Sequence, residues 1–394
     1  MRRFTEEEKA FIQEHMHDEP SQLMLQASRY PTLPILEMVQ QIQARQKAAA
    51  KLPSWATNPD IVFPVMVSVE QSSSEATASY KASLFSGKLL VDLTGGFGVD
   101  SYFFSRSFDQ VIHVEQNAAL QEIAQYNFIL LGASNIESIN STAETFLQSF
   151  AGKADLMFLD PARRGTSNEK LHLLEDCEPD ILNLLPVLFS KSAAILLKAS
   201  PMLDIDLAIS QLGCVAKLWV VAVQNEVKEV VYLLQPEPVP ATHIERTAIN
   251  LQQNGQQLVC FTKAEEDTAI VSFSDPKIFL YEPNAAILKA GAYRVLAKQY
   301  SLHKLHPNSH LYTSDSLVPE FPGRKFRITG LSRYSKKEIL KYLPAKKANI
   351  TVRNFPETVA DIRKKTGIKE GGEIYLFFTT DMHQKPLILI CEKA

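Results

Sequence analysis

The sequence predicts an α/β protein: a parallel sheet covered by helices and closed by an antiparallel hairpin, with a helical lead before it and small α+β domains after it. Between residues 86 and 235, apolar segments typical of strands alternate with segments typical of helices, which is the pattern of a parallel sheet. The last two apolar segments, "AKLWVVAV" and "VKEVVYLL", are separated only by "QNE", which is too short for a parallel crossover and predicts the closing hairpin. The length of 394 residues exceeds one ordinary core, so we expect several domains.

Residues 1–85 are predicted to form a helical N-terminal region. Thr5 is suited to cap a first helix, and "PILEMVQQIQARQKAAAKL" continues with the helical period. Ser73 or Ser74 is suited to begin another helix over "SSSEATASYKASLF". This region leads into the predicted α/β core at residues 86–235.

The chain after the core is expected to hold two small domains. The proline-rich "PEPVPA" marks the first boundary, and residues 236–324 are predicted to contain a hairpin and a small α/β segment with a helix over "AAILKAGAYRVLAKQY". Residues 325–394 predict an α+β domain, in which Ser335 and Glu338 form a capping box and Pro356 occupies a first helical position.

Charge is unevenly distributed along the chain. The net charge is only -3, yet the segment from Arg324 to Ala394 contains 16 Lys and Arg against 7 Asp and Glu. Basic surfaces attract phosphate backbones without sequence preference. The C-terminal domain is therefore a candidate nucleic-acid-binding module.

Composition excludes several other classes of protein. Hydrophobic residues make up 45% and charged residues 22%, which is typical of a folded globular chain. The first residues lack the apolar core of a signal peptide and no apolar run reaches membrane-spanning length, so we expect a cytoplasmic protein without membrane association. The wide spacing of the cysteines favours buried thiols over disulfides, and it predicts no metal site. The four cysteines are Cys177, Cys214, Cys260 and Cys391.

A glycine-rich turn follows the first predicted core strand, in "LLVDLTGGFGVDSYFF". Gly95, Gly96 and Gly98 allow a ligand to approach the backbone closely. The next strand ends in Glu115, at the distance where an acid can hold both hydroxyls of a ribose. A dinucleotide fingerprint would require a third glycine at Ser101, so nicotinamide binding is disfavoured.

This turn resembles motif I of the class I S-adenosylmethionine-dependent methyltransferases, an Asp-x-Gly-x-Gly-x-Gly pattern matched by Asp92, Gly96 and Gly98, with Thr94 in place of the first glycine. The resemblance implies a Rossmann-like sheet and S-adenosyl-L-methionine as cofactor. It also implies which residues lie at the cofactor: Asp92, Thr94, Gly95, Gly96, Gly98, Glu115, Ala143, Glu144 and Asp160. Glu115 would bind the ribose, and Ala143 and Glu144 would border the adenine. Glu144 has a second interpretation, since Ser141 and Glu144 have the spacing of a capping box.

The stretch "ADLMFLDPARRG" ends a buried strand with an acid, a proline and two arginines. In the methyltransferases that it resembles, the fourth strand ends beside the donor methyl in an Asp or Asn followed by Pro. By that resemblance Asp160 would accept a hydrogen bond or a proton from the acceptor, and Pro161 would hold the local chain. Arg163 and Arg164 are basic, so they are expected to continue the path of the RNA to the active site. "DPAR" also resembles the motif of enzymes that methylate carbon 5 of uracil, and those enzymes use a cysteine after the fifth strand as nucleophile. Here the fifth strand ends in "LLKASPML" without a cysteine, so covalent catalysis on uracil is disfavoured.

The motifs together are similar to a group of class I methyltransferases with a C-terminal THUMP-like domain and a small ferredoxin-like segment before it. The segments that carry this resemblance are "EQSSSEATASYKA", "DLTGGFGVD", "DPARRG", "YEPNAAILKAGAYRVLA" and "SDSLVPEFPGRKFRI". The resemblance implies methyltransferase activity and engagement of RNA. The predicted function is methylation of a base nitrogen in tRNA or rRNA by direct displacement. A non-RNA acceptor, or an RNA-binding protein without activity, remains open as an alternative.

Overall fold

The computed structural model describes residues 4–163 and 174–394. Its contacts divide the chain into two compact units, Met1–Lys217 with Lys228–Val239 and Leu218–Val227 with Pro240–Ala394.

The first unit contains a sheet and the helices that cover it. Its strands are β1 (Gly87–Asp92), β2 (Phe108–Glu115), β3 (Ile136–Asn140), β4 (Ala154–Leu159), β5 (Ala162–Arg163), β6 (Cys177–Glu178), β7 (Ser192–Ala199) and most of β9 (Glu226–Leu234). The other strand of the closing hairpin is β8 (Val215–Val223), most of which belongs to the second unit. Its helices are α1 (Glu6–Glu14), α2 (Pro20–Leu25), α3 (Ile35–Ala48), α4 (Pro53–Ala56), α5 (Met66–Gln71), α6 (Glu75–Ser83), α7 (Val99–Phe104), α8 (Ala118–Leu130), α9 (Ala143–Ser149), α10 (Ile181–Lys191) and α11 (Ile205–Leu212).

The strands of the first unit lie in the order β9-β7-β4-β1-β2-β3. β1 pairs in parallel with β2 and β4, and β4 pairs in parallel with β7, so the carboxyl ends of these four strands meet at one edge. β9 runs antiparallel to β7 and follows β8 through a turn in which Gln224 and Asn225 both have positive φ, the geometry of a tight hairpin turn. The predicted parallel sheet and closing hairpin are confirmed.

Helices occupy the N-terminal region, as predicted. Thr5 and Glu8 form a capping box at the start of α1, and Ser74 caps α6. Apolar side chains of α1 and α3, among them Phe11 and Met38, share one buried cluster. Among the residues described, no helix is both long and apolar enough to cross a membrane.

A buried charge cluster attaches α6 to the core. The fully buried Lys81 ammonium donates to both carboxylate oxygens of Glu229 on β9, at 2.6 and 2.8 Å, and lies 3.2 Å from Asp100 on α7. Lys81 also donates to Ser73 Oγ at 3.1 Å, and Ser73 donates to Asp100 at 2.6 Å. Burial raises the pKa of Asp100, but the ammonium groups of Lys81 and Lys198 more than offset this and hold it below its ordinary value. The motif "EQSSSEATASYKA" therefore supplies the serine and the lysine that bind the buried carboxylates of Asp100 and Glu229.

The second unit contains its own sheet and helices. Its strands after β9 are β10 (Glu245–Gln252), β11 (Gly255–Thr262), β12 (Phe279–Pro283), β13 (His303–Lys304), β14 (Tyr312–Ser314), β15 (Gly323–Ser332), β16 (Asn349–Val352), β17 (Tyr375–Thr380) and β18 (Pro386–Lys393). Its helices are α12 (Lys263–Thr268), α13 (Ala285–Ala290), α14 (Arg294–Gln299), α15 (Lys336–Leu340) and α16 (Val359–Thr366).

Seven strands of the second unit form one sheet in the order β13-β14-β12-β15-β18-β17-β16. β12 pairs antiparallel with β15, across the boundary predicted near residue 324. The buried carboxylate of Glu282 on β12 binds Arg324 and Arg353. The two small segments predicted for this part of the chain therefore share a sheet and a buried ion cluster.

Local details of the second unit correct several predictions. The single helix predicted over "AAILKAGAYRVLAKQY" is two helices, because Gly291 has φ +84° and ends α13 in the left-handed region. Ser335 precedes α15, but its side chain makes no capping hydrogen bond. α16 is capped by Thr358 with Asp361 and does not begin at Pro356. Cys391 is buried as predicted, but Cys177 and Cys214 are half-buried and Cys260 is exposed, so the prediction of buried thiols is wrong for Cys260 and only partly right for Cys177 and Cys214.

Candidate functional site

A cavity of about 890 Å³ opens at the sheet edge where the carboxyl ends of β1, β2, β4 and β7 meet. Residues from the glycine turn, the strand ends and the segment before α6 line it. The sequence-predicted residues among them are Asp92, Thr94, Gly95, Gly96, Gly98, Glu115, Ala143, Glu144, Asp160 and Pro161. The fold thus brings these predicted residues together around one space.

The three glycines of the turn have different surroundings. A Cβ on Gly95 would lie 2.3 Å from the ring of His113, and one on Gly98 would lie 2.4 Å from Phe128, so both glycines are required by packing beneath the turn. Gly96 has φ +55°, and the nearest atom to its Cβ position is the Thr94 carbonyl oxygen at 3.9 Å. Gly96 therefore leaves open space on the cavity side.

Glu115 directs its carboxylate back across the turn. Oε2 accepts a hydrogen bond from the Gly96 amide at 2.8 Å, and Oε1 accepts one from the Asn117 amide at 2.7 Å. Each carboxylate oxygen has a second lone pair for a further donor. The acid is thus held at the wall of the cavity beside the open glycine.

Asp92 is buried under the turn and has two local donors. Ser101 Oγ donates to Oδ2 at 2.6 Å and the Thr94 amide donates to Oδ1 at 3.1 Å. Burial raises the pKa of Asp92 to about 7, although the hydrogen bond from Ser101 opposes this. Ser101 occupies the position where a dinucleotide fingerprint would have glycine. A glycine there could not donate the side-chain hydrogen bond that Asp92 receives, which is a physical reason for the serine.

Thr94 joins two strand ends. Its Oγ1 accepts a hydrogen bond from the Asp160 amide at 2.6 Å, while its own amide donates to Asp92. Thr94 replaces the first glycine of motif I, and its hydroxyl gives a reason: the hydrogen bond that it accepts links the end of β1 to the end of β4.

The capping-box interpretation of Ser141 and Glu144 is wrong. The Ser141 amide donates to the Glu115 carbonyl at 3.1 Å, which continues the pairing of β3 with β2 by one residue. Thr142 consequently caps α9 and accepts from the Thr145 amide. Ala143 and Glu144 both line the cavity.

Asp160 forms an ion pair that was not predicted from the sequence. Lys198 Nζ contacts Asp160 Oδ2, and both residues line the cavity. Leu159 pairs with Leu197 in the β4–β7 register, which sets the two following residues side by side. Arg164 and the side chain of Arg163 lie outside the described residues. Lys198 is visible in the sequence as the lysine of "LLKASPML". Its pairing with Asp160 depends on the register of β4 and β7, which the sequence alone does not show.

Two other parts of the chain supply unpredicted cavity residues. Gln71 at the end of α5 and the following Ser72 and Ser73 line it, and so do Glu178 at the end of β6 and the following Pro179. The segment with Gln71 belongs to the motif "EQSSSEATASYKA". The N-terminal region therefore contributes to the site as well as to the fold.

His113 provides a pH-dependent prediction. It is fully buried beneath Gly95, and burial lowers its pKa to about 4. Between about pH 6.5 and 4 the unfolded chain binds a proton that the folded chain rejects, so stability should be lost as pH falls, by up to about 3 kcal/mol. The raised pKa of Asp92 acts in the opposite direction, because stability from that group falls as pH rises from about 4 to 7.

The measurement is urea unfolding of the wild type and of His113→Gln between pH 5 and 7.5. The contribution of Asp92 is present in both proteins, so it cancels when the free energies of unfolding are subtracted at each pH. The stability of the wild type relative to His113→Gln should fall as the pH is lowered. Parallel pH profiles for the two proteins would contradict the assignment.

Comparisons with known proteins identify two C-terminal domains and a relative that is similar over the whole chain. A family model described as a ferredoxin-like domain matches residues 279–322, and one described as THUMP domain-like matches residues 323–393. The crystal structure of a protein from Porphyromonas gingivalis W83, named as a methyltransferase, is 31% identical with a TM-score of 0.89, and the match covers 100% of both chains.

A curated relative from Thermotoga maritima has the name "Uncharacterized RNA methyltransferase". It is 29% identical over 98 residues, which is 25% of this chain and 22% of the relative's length. Because the Porphyromonas protein is similar over its whole length, its match reaches every part of the fold described above. The chain belongs to the class I S-adenosylmethionine-dependent methyltransferases that carry a ferredoxin-like and a THUMP-like domain at the C-terminus.

Proposed function

We propose that this protein methylates a base nitrogen in RNA, with tRNA and rRNA as the candidate substrates, by direct displacement on S-adenosylmethionine. The observation that carries the proposal is that Glu115 and Asp160, at two strand ends, line the same cavity above an open glycine. One acid is available for the donor and the other for the acceptor. The basic C-terminal domain would dock the RNA.

The cavity fits the donor in size, backbone and polarity. Its volume of about 890 Å³ lies within the range of small-molecule sites. The open side of Gly96 admits close approach, and Glu115 has lone pairs for the ribose hydroxyls. Ala143 and Glu144 would border the adenine ring. Asp92 and Thr94 would hold the turn from beneath rather than contact the donor directly.

Asp160 would act on the acceptor. The bound donor supplies an electrophilic methyl group on a sulfonium, so little covalent help is needed and positioning dominates. The Asp160 carboxylate accepts a hydrogen bond from the attacking nitrogen and orients its lone pair. Its amide is fixed by Thr94 and its carboxylate by Lys198, while Pro161 restricts the next residue. Arg163 would add a positive charge for contact with the RNA.

Surface charge supports RNA as the acceptor. Arg324 and Arg353 form ion pairs with Glu282. Many lysines of the C-terminal domain are exposed at its surface. These lysines are Lys336, Lys337, Lys341, Lys346, Lys347, Lys364, Lys365 and Lys369. Their distribution over loops and helix ends fits a phosphate backbone better than a single small anion. The name of the Thermotoga relative also refers to RNA.

Replacing Glu115 by alanine should weaken donor binding. The loss of hydrogen bonds to a charged acceptor costs about 1.5–3 kcal/mol, so the Kd for S-adenosylhomocysteine should rise about 10- to 100-fold by calorimetry. Glu137→Ala, an exposed acid on the adjacent strand β3, is the matched control and should leave the Kd unchanged. An unchanged Kd in Glu115→Ala would remove the donor site proposed here.

The acceptor is tested separately. Total RNA from cells that lack the protein is incubated with the full chain and radiolabelled S-adenosylmethionine, and we expect label in RNA. Donor binding with label only in protein or small molecules would favour a non-RNA acceptor. RNA binding without any transfer would favour the non-catalytic alternative.

A further inference from the structure

The ion pair of Asp160 and Lys198 presents a hydrogen-bond acceptor and a hydrogen-bond donor side by side at the cavity. The Lys198 side chain is 11% exposed and that of Asp160 is 32% exposed, and both residues line the cavity. Nothing in the donor site described above uses Lys198. A second charged group is thus available next to the acid proposed to handle the acceptor.

Lys198 is held as an ammonium ion by its surroundings. Burial lowers its pKa, but Asp160 on the β4 end, Asp100 on α7 and Glu229 on β9 more than offset this and raise it above its ordinary value. Lys51, in the turn after α3, is a neighbouring cation, and its own pKa is lowered to about 8, first by burial and then by the charges of Lys198 and Lys228. Lys198 therefore retains its proton at neutral pH.

A lysine ammonium at this position distinguishes between kinds of acceptor nitrogen. An exocyclic amine, or the N1 atom of adenine, becomes positively charged as it attacks a methyl group, and an adjacent ammonium opposes that charge. A ring N–H next to a carbonyl behaves differently. It gives its proton to a carboxylate, and the electron density moves toward the oxygen, where an ammonium is stabilising.

We propose that Asp160 and Lys198 act together on a ring N–H and the carbonyl oxygen beside it, so that the acceptor is guanine N1 or uracil N3; this rests on the proposed function. The N–H proton passes to Asp160, and the nitrogen lone pair forms the new N–CH₃ bond. The C–S bond breaks with its electron pair going to sulfur, which becomes a neutral sulfide. Asp160 then releases the proton to water, and Lys198 hydrogen-bonds the carbonyl oxygen throughout.

The first test identifies the product. Total RNA from cells that lack the protein is incubated with the wild-type chain and S-adenosylmethionine carrying a deuterated methyl group, and nucleosides are analysed by mass spectrometry. We expect label in 1-methylguanosine or 3-methyluridine, and these two products separate the guanine and uracil cases. Label in an exocyclic amine, in 1-methyladenosine, in carbon 5 or in ribose overturns this inference but leaves RNA methylation standing. No label in RNA overturns the proposed function as well.

The second test addresses Lys198 itself. Lys198→Met should lower kcat about 10²–10³-fold, as expected for the loss of a donor to a developing oxyanion, while Lys198→Arg should recover part of the rate. In Lys198→Met the residual rate should rise with pH between about 7 and 9, because a growing fraction of the acceptor has then already lost its ring proton to hydroxide and no longer needs the ammonium to stabilise charge that develops on the carbonyl oxygen. The affinity for S-adenosylhomocysteine should stay within threefold, roughly 0.6 kcal/mol. A pH-independent residual rate would assign Lys198 a structural role only and contradict the proposal.

Discussion

Asp160→Ala should abolish methyl transfer while the protein still folds and binds its donor. The substitution removes the carboxylate that would orient and accept a proton from the acceptor, and positioned groups of this kind contribute about 10²–10⁴-fold to rate. The Asp160 amide would still donate to Thr94, so the end of β4 should keep its place. Transfer from radiolabelled S-adenosylmethionine to RNA measures the effect, and calorimetry with S-adenosylhomocysteine measures donor binding.

Asp160→Asn is the matched variant for this experiment. It preserves the shape of the side chain and one carbonyl oxygen, but it cannot take a proton and does not balance the Lys198 charge. We expect Asn to be nearly as inactive as Ala. Near-normal transfer in Asp160→Asn would mean that the oxygen only accepts a hydrogen bond, and normal transfer in Asp160→Ala would remove this residue from the chemistry.

Lys81→Met should produce the largest loss of stability among the substitutions considered. The Lys81 side chain is fully buried, and its removal leaves Glu229 and Asp100 without their nearest cation in a region with little water. Breaking a buried ion pair from one side costs about 3–5 kcal/mol, because the remaining charge is uncompensated. Urea unfolding at pH 7 gives the free energy of unfolding for each protein.

The double variant Lys81→Met/Glu229→Met separates charge from packing. Removing both partners removes one uncompensated charge, so part of the lost stability should return. Lys47→Met is the control, since the Lys47–Glu70 pair is 3.5 Å apart and exposed, and such pairs contribute about 0–1 kcal/mol. If Lys81→Met costs no more than Lys47→Met, the buried cluster does not stabilise the fold.

Several features of the site could be predicted because they depend on local order along the chain. In a strand–turn–helix unit, the residues that follow a strand lie at its carboxyl end, and parallel neighbours place those ends at one edge. Gly96 and Glu115 were predicted in this way and meet across 2.8 Å. The cap of α9 was displaced by one residue because Ser141 pairs with Glu115 and extends the strand, which is a contact between two strands.

The sequence by itself determined the order of strands and helices, the glycine turn, and the acids at the ends of β2 and β4. Periodicity and turn chemistry act over a few residues, so they can be read without the rest of the molecule. The tertiary structure alone decided that Asp160 pairs with Lys198 and that Lys81 balances Glu229, 148 residues away. Those pairings depend on which strands are neighbours and in what register, and a shift of one residue would turn each side chain to the opposite face of the sheet.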